Sequence, residues 1–580
     1  MLAGGDELVT IYTVKHYLFA EELYMRKVIL ILLLLVAASI PATLAMAQDD
    51  ETIVIRNIGN LTTFNPILYT DGASEIAANY LWPTLFQVDR FTGEPSPGLA
   101  SWEISEDNLT YTFTIRDDAF WTDGTPITSA DVAFTVAATQ NPDVGSPNAA
   151  DVQSITTVNV IDDHTFEFVL DSPSCVVWSD FIGIRLVPSH RFAADFSDIA
   201  DNPINTNPDI SGGAYILDEV SAGEFERYVA NPDYWGGAPA IPVLVNRVIE
   251  DPAVLSQAII SGEVDYASMR GDEFAQLPDT SSLNFQSFPQ HNVSFLAMNW
   301  ADPSNPQAAY DEDGNLVEQT PHPIFSDIRV RQAIAMAWNK TDILETLGGP
   351  EGGTIIASSV IPTMTWAYNP ELAPYPYDPD AAAALLDEAG WVINEDTGIR
   401  ERDGMPLAFE ITYSDLLAYF ETIALVSQDY FTRLGMDVTV TKLEWATYLN
   451  EVFLGQTYDI AVLSNTGSLV PDPDSLAFGL THSSGDIPGG GVNTLSYVNP
   501  EYDALLDAGR IVPGCGTAER AEIYFQVQQI QHDEVIYDWI LSPNLIQIMN
   551  DRIGNFDPGP WWGLYGFTEH VNEFTIGESD

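Results

Sequence analysis

Residue types that could perform catalysis are present in this sequence, but their spacing matches no catalytic motif. The 580-residue chain has eight histidines and two cysteines. No two histidines have the His-Glu-x-x-His spacing that would place two metal ligands on one helix face, and no Gly-x-Ser-x-Gly nucleophile turn occurs. The glycine run Pro488–Gly491 lacks the lysine of a phosphate-binding loop and is interpreted as a turn. We therefore expect no enzymatic activity, no cofactor and no metal site.

Carboxylates are the one reactive group in excess. The chain has 84 Asp and Glu residues against 21 Lys and Arg, a formal net charge of -63 at pH 7. Two close carboxylates can hydrolyse a glycosidic bond. With so many carboxylates, no particular pair can be identified as catalytic. A secreted carboxylate-dependent hydrolase therefore remains only an alternative. The charge repels phosphate and argues against nucleic acid as a partner. Because 46% of the residues are hydrophobic, we expect the acids on the surface of a folded protein.

The N-terminal region has the three parts of a secretory signal peptide. The basic start Met25–Lys27 precedes the apolar run Val28–Ile40, and Ala45–Ala47 provides a cleavage site. We expect residues 1–24 to be a misassigned upstream segment and residues 25–47 to be removed. The mature protein is then periplasmic or at the cell surface. The sequence has no cysteine near the cleavage site that could carry a lipid anchor.

The two cysteines are a possible disulfide in an oxidising compartment. Cys175 and Cys515 lie far apart in the chain, and sequence alone does not give the geometry that a disulfide needs. Two buried thiols remain the alternative.

Local patterns indicate an α/β protein. Apolar and polar residues alternate over 109–116, which predicts a half-buried strand, and Thr128 with Asp131 forms a capping box at the start of a helix. Further along, helices are predicted over 380–389 and 416–434, the second followed by a glycine and a strand over 437–442. A helix, a glycine stop and a strand in this order suggest a crossover connection onto a mixed sheet.

Several separated segments together resemble one family, the family 5 extracellular solute-binding proteins of ABC importers, whose best-known members bind dipeptides and oligopeptides. The resemblance runs from about residue 51 to about residue 560. The segments that carry it are Thr63–Pro66, Pro97–Glu103, Asp123–Pro126, Gly212–Tyr215, Asn231–Gly237, Ser261–Asp265, Asp327–Ile334, Asp472–Asp474 and Tyr497–Leu506.

This resemblance implies a two-lobed periplasmic binding protein fold with mixed sheets, a hinge and a ligand cleft between the lobes. Lobe I is expected over 48–300, with an inserted subdomain at about 67–190. Lobe II is expected over 301–540, and residues 541–580 return to lobe I. Arg329 and Arg331 are expected to pair with carboxylates at a helix start.

The resemblance also implies which residues contact the ligand. Trp445 matches a cleft tryptophan that stacks on bound peptide, and Thr70 and Gly72 match a strand edge that pairs with an extended peptide backbone. The loop that receives the peptide amino terminus matches Asn465, Thr466, Gly467 and Ser468. Further cleft positions are Asn148, Ser268, Met269 and Arg270.

Two departures from the peptide-binding pattern concern charge. The amino-terminal loop carries no Trp or Asp, and the basic residues that would hold a peptide carboxylate are replaced by Val452, Phe453 and Val462. A neutral, aromatic cleft would also suit an oligosaccharide, which we keep as an alternative ligand class.

The sequence therefore predicts a secreted substrate-binding component of an ABC importer. It would capture oligopeptide-like solutes and deliver them to a permease and ATPase complex at the membrane, acting as a monomer. The acidic, lysine-poor composition further predicts a protein that keeps its fold in molar salt or at mildly acidic pH.

Overall fold

The computed structural model describes residues 51–57, 59–277, 283–311, 313–364, 366–468, 470–555 and 571–577. The expected upstream segment 1–24 and the signal peptide 25–47 lie outside the described residues. Within the described ranges, no helix combines the length and the apolar character needed to span a membrane.

The described part of the chain contains strands throughout and helices of 4 to 17 residues. The strands are β1 (Thr52–Asn57), β2 (Phe86–Val88), β3 (Pro95–Pro97), β4 (Ala100–Ile104), β5 (Thr110–Ile115), β6 (Ile155–Val160), β7 (Thr165–Leu170), β8 (Tyr215–Ser221), β9 (Phe225–Ala230), β10 (Val243–Val248), β11 (Tyr266–Arg270), β12 (Asn284–Pro289), β13 (Asn292–Met298), β14 (Gly353–Ile355), β15 (Val392–Ile393), β16 (Arg400–Arg402), β17 (Met405–Pro406), β18 (Ala408–Ser414), β19 (Asp437–Leu443), β20 (Ile460–Thr466), β21 (Asp538–Met549), β22 (Ile553–Gly554) and β23 (Thr575–Ile576). The α-helices are α1 (Gly72–Leu81), α2 (Ser129–Gln140), α3 (Val177–Phe181), α4 (Pro252–Ile260), α5 (Gly271–Phe274), α6 (Ile328–Met336), α7 (Thr341–Thr346), α8 (Pro379–Glu388), α9 (Ala418–Arg433), α10 (Trp445–Tyr448), α11 (Asp474–Thr481), α12 (Pro500–Arg510) and α13 (Thr517–Asp533).

One long strand, β21, joins two sheets. Its first half pairs with β13 and β14, while its second half pairs with β11 and β12. The sheet of the first lobe continues through β1, β10, β9 and β8, and that of the second lobe through β20, β18 and β19. Both sheets mix parallel and antiparallel pairs, so the predicted mixed α/β class is confirmed.

The chain crosses between the lobes at two adjacent places. One lies between Pro289 and Asn292, where β12 ends and β13 begins, and the other is at Pro543 within β21. The Gln290 N–H donates to the Pro543 carbonyl at 3.0 Å, and Ser542 Oγ donates to the Gln290 carbonyl at 2.9 Å. Proline has no N–H to donate to a ladder, which suits the point at which β21 changes partners. The two crossings form the hinge of the two-lobed fold.

Strand β13 separates two hydrophobic cores in the second lobe. Leu296 packs in one core, whereas Val293 and Phe295 pack in the other. Successive side chains of a strand point to opposite faces, so an apolar run is buried on both sides of the sheet.

The sequence-predicted elements occur near their expected positions. Strand β5 lies in a four-stranded antiparallel sheet, β4-β5-β7-β6, and buries Tyr111, Phe113 and Ile115. Helix α2 begins with the predicted capping box, in which the Thr128 N–H donates to Asp131 at 2.9 Å. Helices α8 and α9 confirm the two later predictions, and β19 runs parallel to β18 as the crossover requires.

Arg329 and Arg331 were both expected to pair with carboxylates, and this is confirmed for Arg329 only. Arg329 pairs with Asp327 at 2.6 Å. Arg331 instead donates to the carbonyls of Phe325 and Glu534 and stacks 3.4 Å from the Trp300 ring centre. Its side chain is buried among backbone carbonyls, so the expected carboxylate partner is wrong, and burial lowers its pKa to about 10.

Candidate functional site: an interlobe cavity

A cavity of about 760 Å³ lies between the two lobes. The first lobe lines it with Tyr69, Glu75 and parts of the segment 151–185, and the second lobe lines it with Gly467, Ser468 and residues from 474 to 510. This volume falls within the range of about 300–1,000 Å³ that is typical of small-molecule sites.

Two carboxylates of the first lobe face the cavity with no cation close enough for an ion pair. Asp151 lies in a short 3-10 turn and Asp180 lies in α3, where Ser154 Oγ donates to it at 3.3 Å. Among the described residues, neither carboxylate has an ion-pair partner within 4.0 Å. Burial raises the pKa of each to about 6, because the loss of water outweighs the attraction of Arg185 for Asp151 and of Arg510 for Asp180.

Arg185 lies in the same wall but is already engaged. Its Nε donates to Asn79 at 2.7 Å, its Nη1 donates to the Tyr69 hydroxyl at 3.1 Å, and its Nη2 is 3.6 Å from Glu75. This guanidinium therefore supports the wall of the cavity and is not an unoccupied anchor for a solute carboxylate.

The second lobe contributes one acidic and one basic group. Asp474, at the start of α11, lies 3.5 Å from Arg510, whose guanidinium stacks 4.1 Å from the Phe478 ring centre. Tyr524 donates its hydroxyl to Asp474 at 3.3 Å. Burial raises the pKa of Asp474 to about 7 despite the nearby arginines.

A buried ion pair supports this part of the wall from behind. Arg520 binds Asp472 through two hydrogen bonds of 2.6 and 2.9 Å, and both side chains are nearly inaccessible. A bidentate arginine–carboxylate pair restrains its partner in one orientation. The pair thus holds the chain just before α11 in place.

Gly467 and Ser468 connect the cavity to the hinge. The Gly467 N–H donates to the His291 carbonyl at 2.7 Å, and His291 Nδ1 lies 2.8 Å from the Ser468 carbonyl. That carbonyl can only accept, so Nδ1 carries the proton. Burial lowers the pKa of His291 to about 4 and keeps the ring neutral. A side chain at 467 would overlap the ring, which explains the glycine there.

The lining is strongly acidic overall. Among the residues that the structure describes, five carboxylates and two guanidinium groups line the cavity. Such a cavity favours a solute with positive charge or with many hydrogen-bond donors. The acidic side chains are Glu75, Asp151, Asp171, Asp180 and Asp474, and the basic ones are Arg185 and Arg510.

Of the residues that the sequence predicted for the site, Gly467 and Ser468 line the cavity. Thr70 is exposed and follows the lining residue Tyr69. Gly72 is the first residue of α1, so the expected strand edge at this position is wrong. Asp71 is the N-cap of this helix and accepts from the Ser74 N–H, which explains why the segment is helical.

The other first-lobe predictions lie outside the cavity lining. Asn148 donates to the Pro66 carbonyl at 3.1 Å and so supports the loop before Tyr69. Ser268, Met269 and Arg270 form the end of β11 and pair with β21. Met269 is buried in the core, and Arg270 is exposed and bonds to Asp272.

The other second-lobe predictions are also elsewhere. Trp445 is 38% exposed, stacks on Tyr448 and makes an edge-to-face contact with Phe453. Asn465 and Thr466 end β20 and pair with β13. Val452 and Val462, where basic residues were sought, are fully buried in the two cores of the second lobe.

Sequence reasoning missed the charged residues of the cavity. Asp474 belonged to a segment that carried the resemblance, and its position at a helix start was a usable signal. Asp151, Asp180 and Arg510 carry no such signal, because Arg510 approaches the two aspartates only when the lobes pack together.

Comparison with known families identifies a match over most of the chain. A sequence model of the bacterial extracellular solute-binding proteins, family 5, middle region, matches residues 94–487. A Brucella melitensis protein, named as a peptide-binding protein of an ABC transporter, is 27% identical over 524 residues, which cover 89% of this chain and 91% of that protein. The dipeptide-binding protein of Escherichia coli is 26% identical over 520 residues, which cover 85% and 89%.

Solved structures share the fold. The oligopeptide-binding protein AppA of Bacillus subtilis, in complex with a nonapeptide, aligns with a TM-score of 0.66 at 21% identity and covers 91% of this chain and 99% of that one. NikA of Brucella suis, in complex with Fe(III)-EDTA, aligns with a TM-score of 0.74 at 23% identity, with 91% and 100% coverage. The same two-lobed fold therefore holds chemically different ligands.

Proposed function

Because the chain belongs to family 5 of the bacterial extracellular solute-binding proteins, we propose that it captures oligopeptide-like solutes in the cavity between its lobes. The observation that carries this proposal is the 760 Å³ cavity, which takes its lining from both lobes and adjoins the hinge through Gly467. A solute in such a place contacts both lobes at once and stabilises the closed form. Binding by closure needs no catalytic group.

Peptide is the favoured solute class. The matched Brucella and Escherichia proteins are named as peptide-binding and dipeptide-binding proteins. The unpaired Asp151 and Asp180 suit an ammonium group, whether from a peptide amino terminus or from a lysine side chain. Arg510 can share its charge between Asp474 and a peptide carboxylate. We expect peptides that carry net positive charge to bind best.

The transport role involves further proteins. We propose that the mature protein is secreted through a signal peptide at 25–47, is not lipid-anchored and acts as a monomer. It would deliver its solute to an ABC permease and ATPase complex. Lobe I would run to the crossing at Pro289–Asn292, with its insertion at about 67–190, and would resume after Pro543, so the expected boundaries at 300 and 540 shift to these crossings.

The two alternatives have less support. Oligosaccharides commonly bind by stacking on aromatic rings, but Tyr69 is the one aromatic residue among the described lining residues, and Trp445 is not in the lining. A hydrolase would use a pair of carboxylates, but relatives of this chain are named as transport proteins.

Thermal unfolding in the presence of solute pools tests the proposal. A ligand that binds only the folded state raises the melting temperature, and the stabilisation grows with the logarithm of the ligand concentration relative to Kd. We expect a tripeptide pool to raise it and an oligosaccharide pool to leave it unchanged. Stabilisation by oligosaccharides alone would contradict the peptide assignment.

A further inference from the structure

We propose that the disulfide between Cys175 and Cys515 is a redox latch that holds the two lobes closed over the cavity. The inference concerns access to the same site and rests on the proposed function for its biological meaning. The bond joins residues 340 positions apart in the sequence.

The two cysteines belong to different lobes. Cys175 precedes α3, whose Val177 and Phe181 pack in the core of the first lobe. Cys515 lies between α12 and α13, whose Leu506 and Tyr524 pack against β13 in a core of the second lobe. Within the described residues, the chain joins the lobes covalently only at the two hinge crossings, so the bond is a further covalent link between them.

The link lies at the rim of the cavity. Ser174 and Val176, on either side of Cys175, line the cavity, and so does Arg510. The Cys175 N–H donates to the Arg510 carbonyl at 2.7 Å, and Ser179 Oγ lies within hydrogen-bond distance of Ser468 Oγ, at 3.1 Å. These interlobe hydrogen bonds are individually weak and can exchange with water. The disulfide cannot exchange in this way.

The position of the link determines its mechanical effect. The hinge crossings at Pro289–Asn292 and Pro543 are bonded to each other, so they permit rotation of one lobe about a narrow connection. A third covalent link between the lobes, at the cavity rim, restrains that rotation. The oxidised protein retains its solute, and the reduced protein can open and exchange it.

Reduction of the Cys175–Cys515 disulfide requires a dithiol reductant, such as a thiol–disulfide oxidoreductase. Cys515 is half-buried and Cys175 is only 3% exposed, so the reductant thiolate attacks Cys515 Sγ. The bond to Cys175 breaks, and the Cys175 sulfur leaves with the electron pair and takes a proton. The second reductant thiol then displaces Cys515 from the mixed disulfide. Both cysteines end as thiols and the reductant ends as a disulfide.

Small-angle X-ray scattering of solute-free protein tests the latch without any assumption about the solute. The three samples are the oxidised protein, the protein reduced with dithiothreitol, and the double variant Cys175→Ser/Cys515→Ser. We expect the radius of gyration to increase on reduction and in the double variant, but not when the double variant is treated with dithiothreitol.

Equal radii in all samples would overturn the proposal. Loss of folded secondary structure on reduction would also overturn it, because the bond would then be a structural staple and not a latch. If the double variant does not fold, the single variant Cys515→Ser replaces it in the scattering experiment. This variant also lacks the bond but keeps the buried Cys175 thiol, and circular dichroism checks its fold.

A second measurement follows release of a fluorescein-labelled Lys-Ala-Ala probe from preloaded protein. We expect release from the oxidised protein to be about tenfold slower or more than from the reduced protein, since closure acts mainly on the dissociation rate. Equal release rates would contradict the latch. Failure of the probe to bind in any sample would contradict the peptide assignment, and the scattering result would still decide on the latch.

Discussion

Asp151 and Asp180 are the residues through which charge selection at the cavity is most directly tested. Both face the cavity and lack an ion-pair partner among the described residues, so a cationic solute group would satisfy them. A charge-assisted hydrogen bond is stronger than a neutral one. Its loss should therefore reduce the affinity most for the solute that forms it.

The double variant Asp151→Asn/Asp180→Asn should lose more affinity for Lys-Ala-Ala, which carries two ammonium groups, than for Ala-Ala-Ala, which carries one. We expect the preference between the two tripeptides to fall by about tenfold, which corresponds to about 1.4 kcal/mol. Isothermal titration calorimetry measures both affinities.

Asp117→Asn is the matched control, because Asp117 is an exposed acid of the first lobe outside the cavity. The control should keep the full preference. An unchanged preference in the double variant would show that these carboxylates do not contact the solute.

The same two carboxylates should make the empty protein less stable as the pH rises. Their folded pKa values of about 6 exceed the ordinary value near 3.8, so the folded state binds more protons between these pH values. The stability that this provides is complete below about pH 4 and is lost as the pH rises through about 6.

Urea unfolding at pH 4.5 and pH 7.5 measures this effect. We expect wild-type protein to lose more stability between these two pH values than Asp151→Asn/Asp180→Asn. The same loss in both proteins would mean that the two carboxylates are not perturbed by burial.

At the scale of the elements, the junction between β20 and the hinge is closely packed. Gly467 follows β20, bonds to His291 at the lobe crossing and leaves no room for a side chain. The position therefore couples the cavity lining to the hinge.

Gly467→Ala should destabilise the fold and weaken solute binding together. Overpacking of a closely packed site costs about 1–3 kcal/mol, and displacement of the His291 ring would shift the chain at the hinge. Urea unfolding measures the first effect and calorimetry with Lys-Ala-Ala measures the second.

Gly479→Ala is the control, because Gly479 lies within α11 with no atom near an added Cβ. Alanine there should be neutral or stabilise the helix by about 0.5–1 kcal/mol. Equal stability of Gly467→Ala and wild type would mean that the contact with His291 is not tight.

Elements set by local pattern could be predicted from the sequence, whereas the cavity lining could not. Strand β5 and helix α9 follow from apolar spacing and end signals within a few residues. Asp180 and Arg510 meet only after the lobes assemble, so no local pattern marks them. Trp445 matched a cleft position of the family, and it lies partly exposed outside this cavity lining, packed against Tyr448 and Phe453.

At the scale of the whole molecule, the net charge of -63 should control stability. Like charges repel across a compact surface, and salt screens them over a Debye length of about 3 Å at 1 M ionic strength. We expect the melting temperature to rise from dilute buffer to molar sodium chloride. It should also rise from pH 7.5 to pH 5.5. A maximum in dilute neutral buffer would contradict this expectation.

Native mass spectrometry of protein that has been reduced, loaded with an equimolar mixture of tripeptides and oligosaccharides and then reoxidised tests the central claim most directly. Each bound solute adds its own mass, so the solute class and the stoichiometry are read in one spectrum. We predict one tripeptide per chain, with lysine-containing tripeptides favoured, once the protein has been reduced, loaded and reoxidised. Oligosaccharide adducts without peptide adducts, or no adduct after loading, would contradict peptide capture in the interlobe cavity.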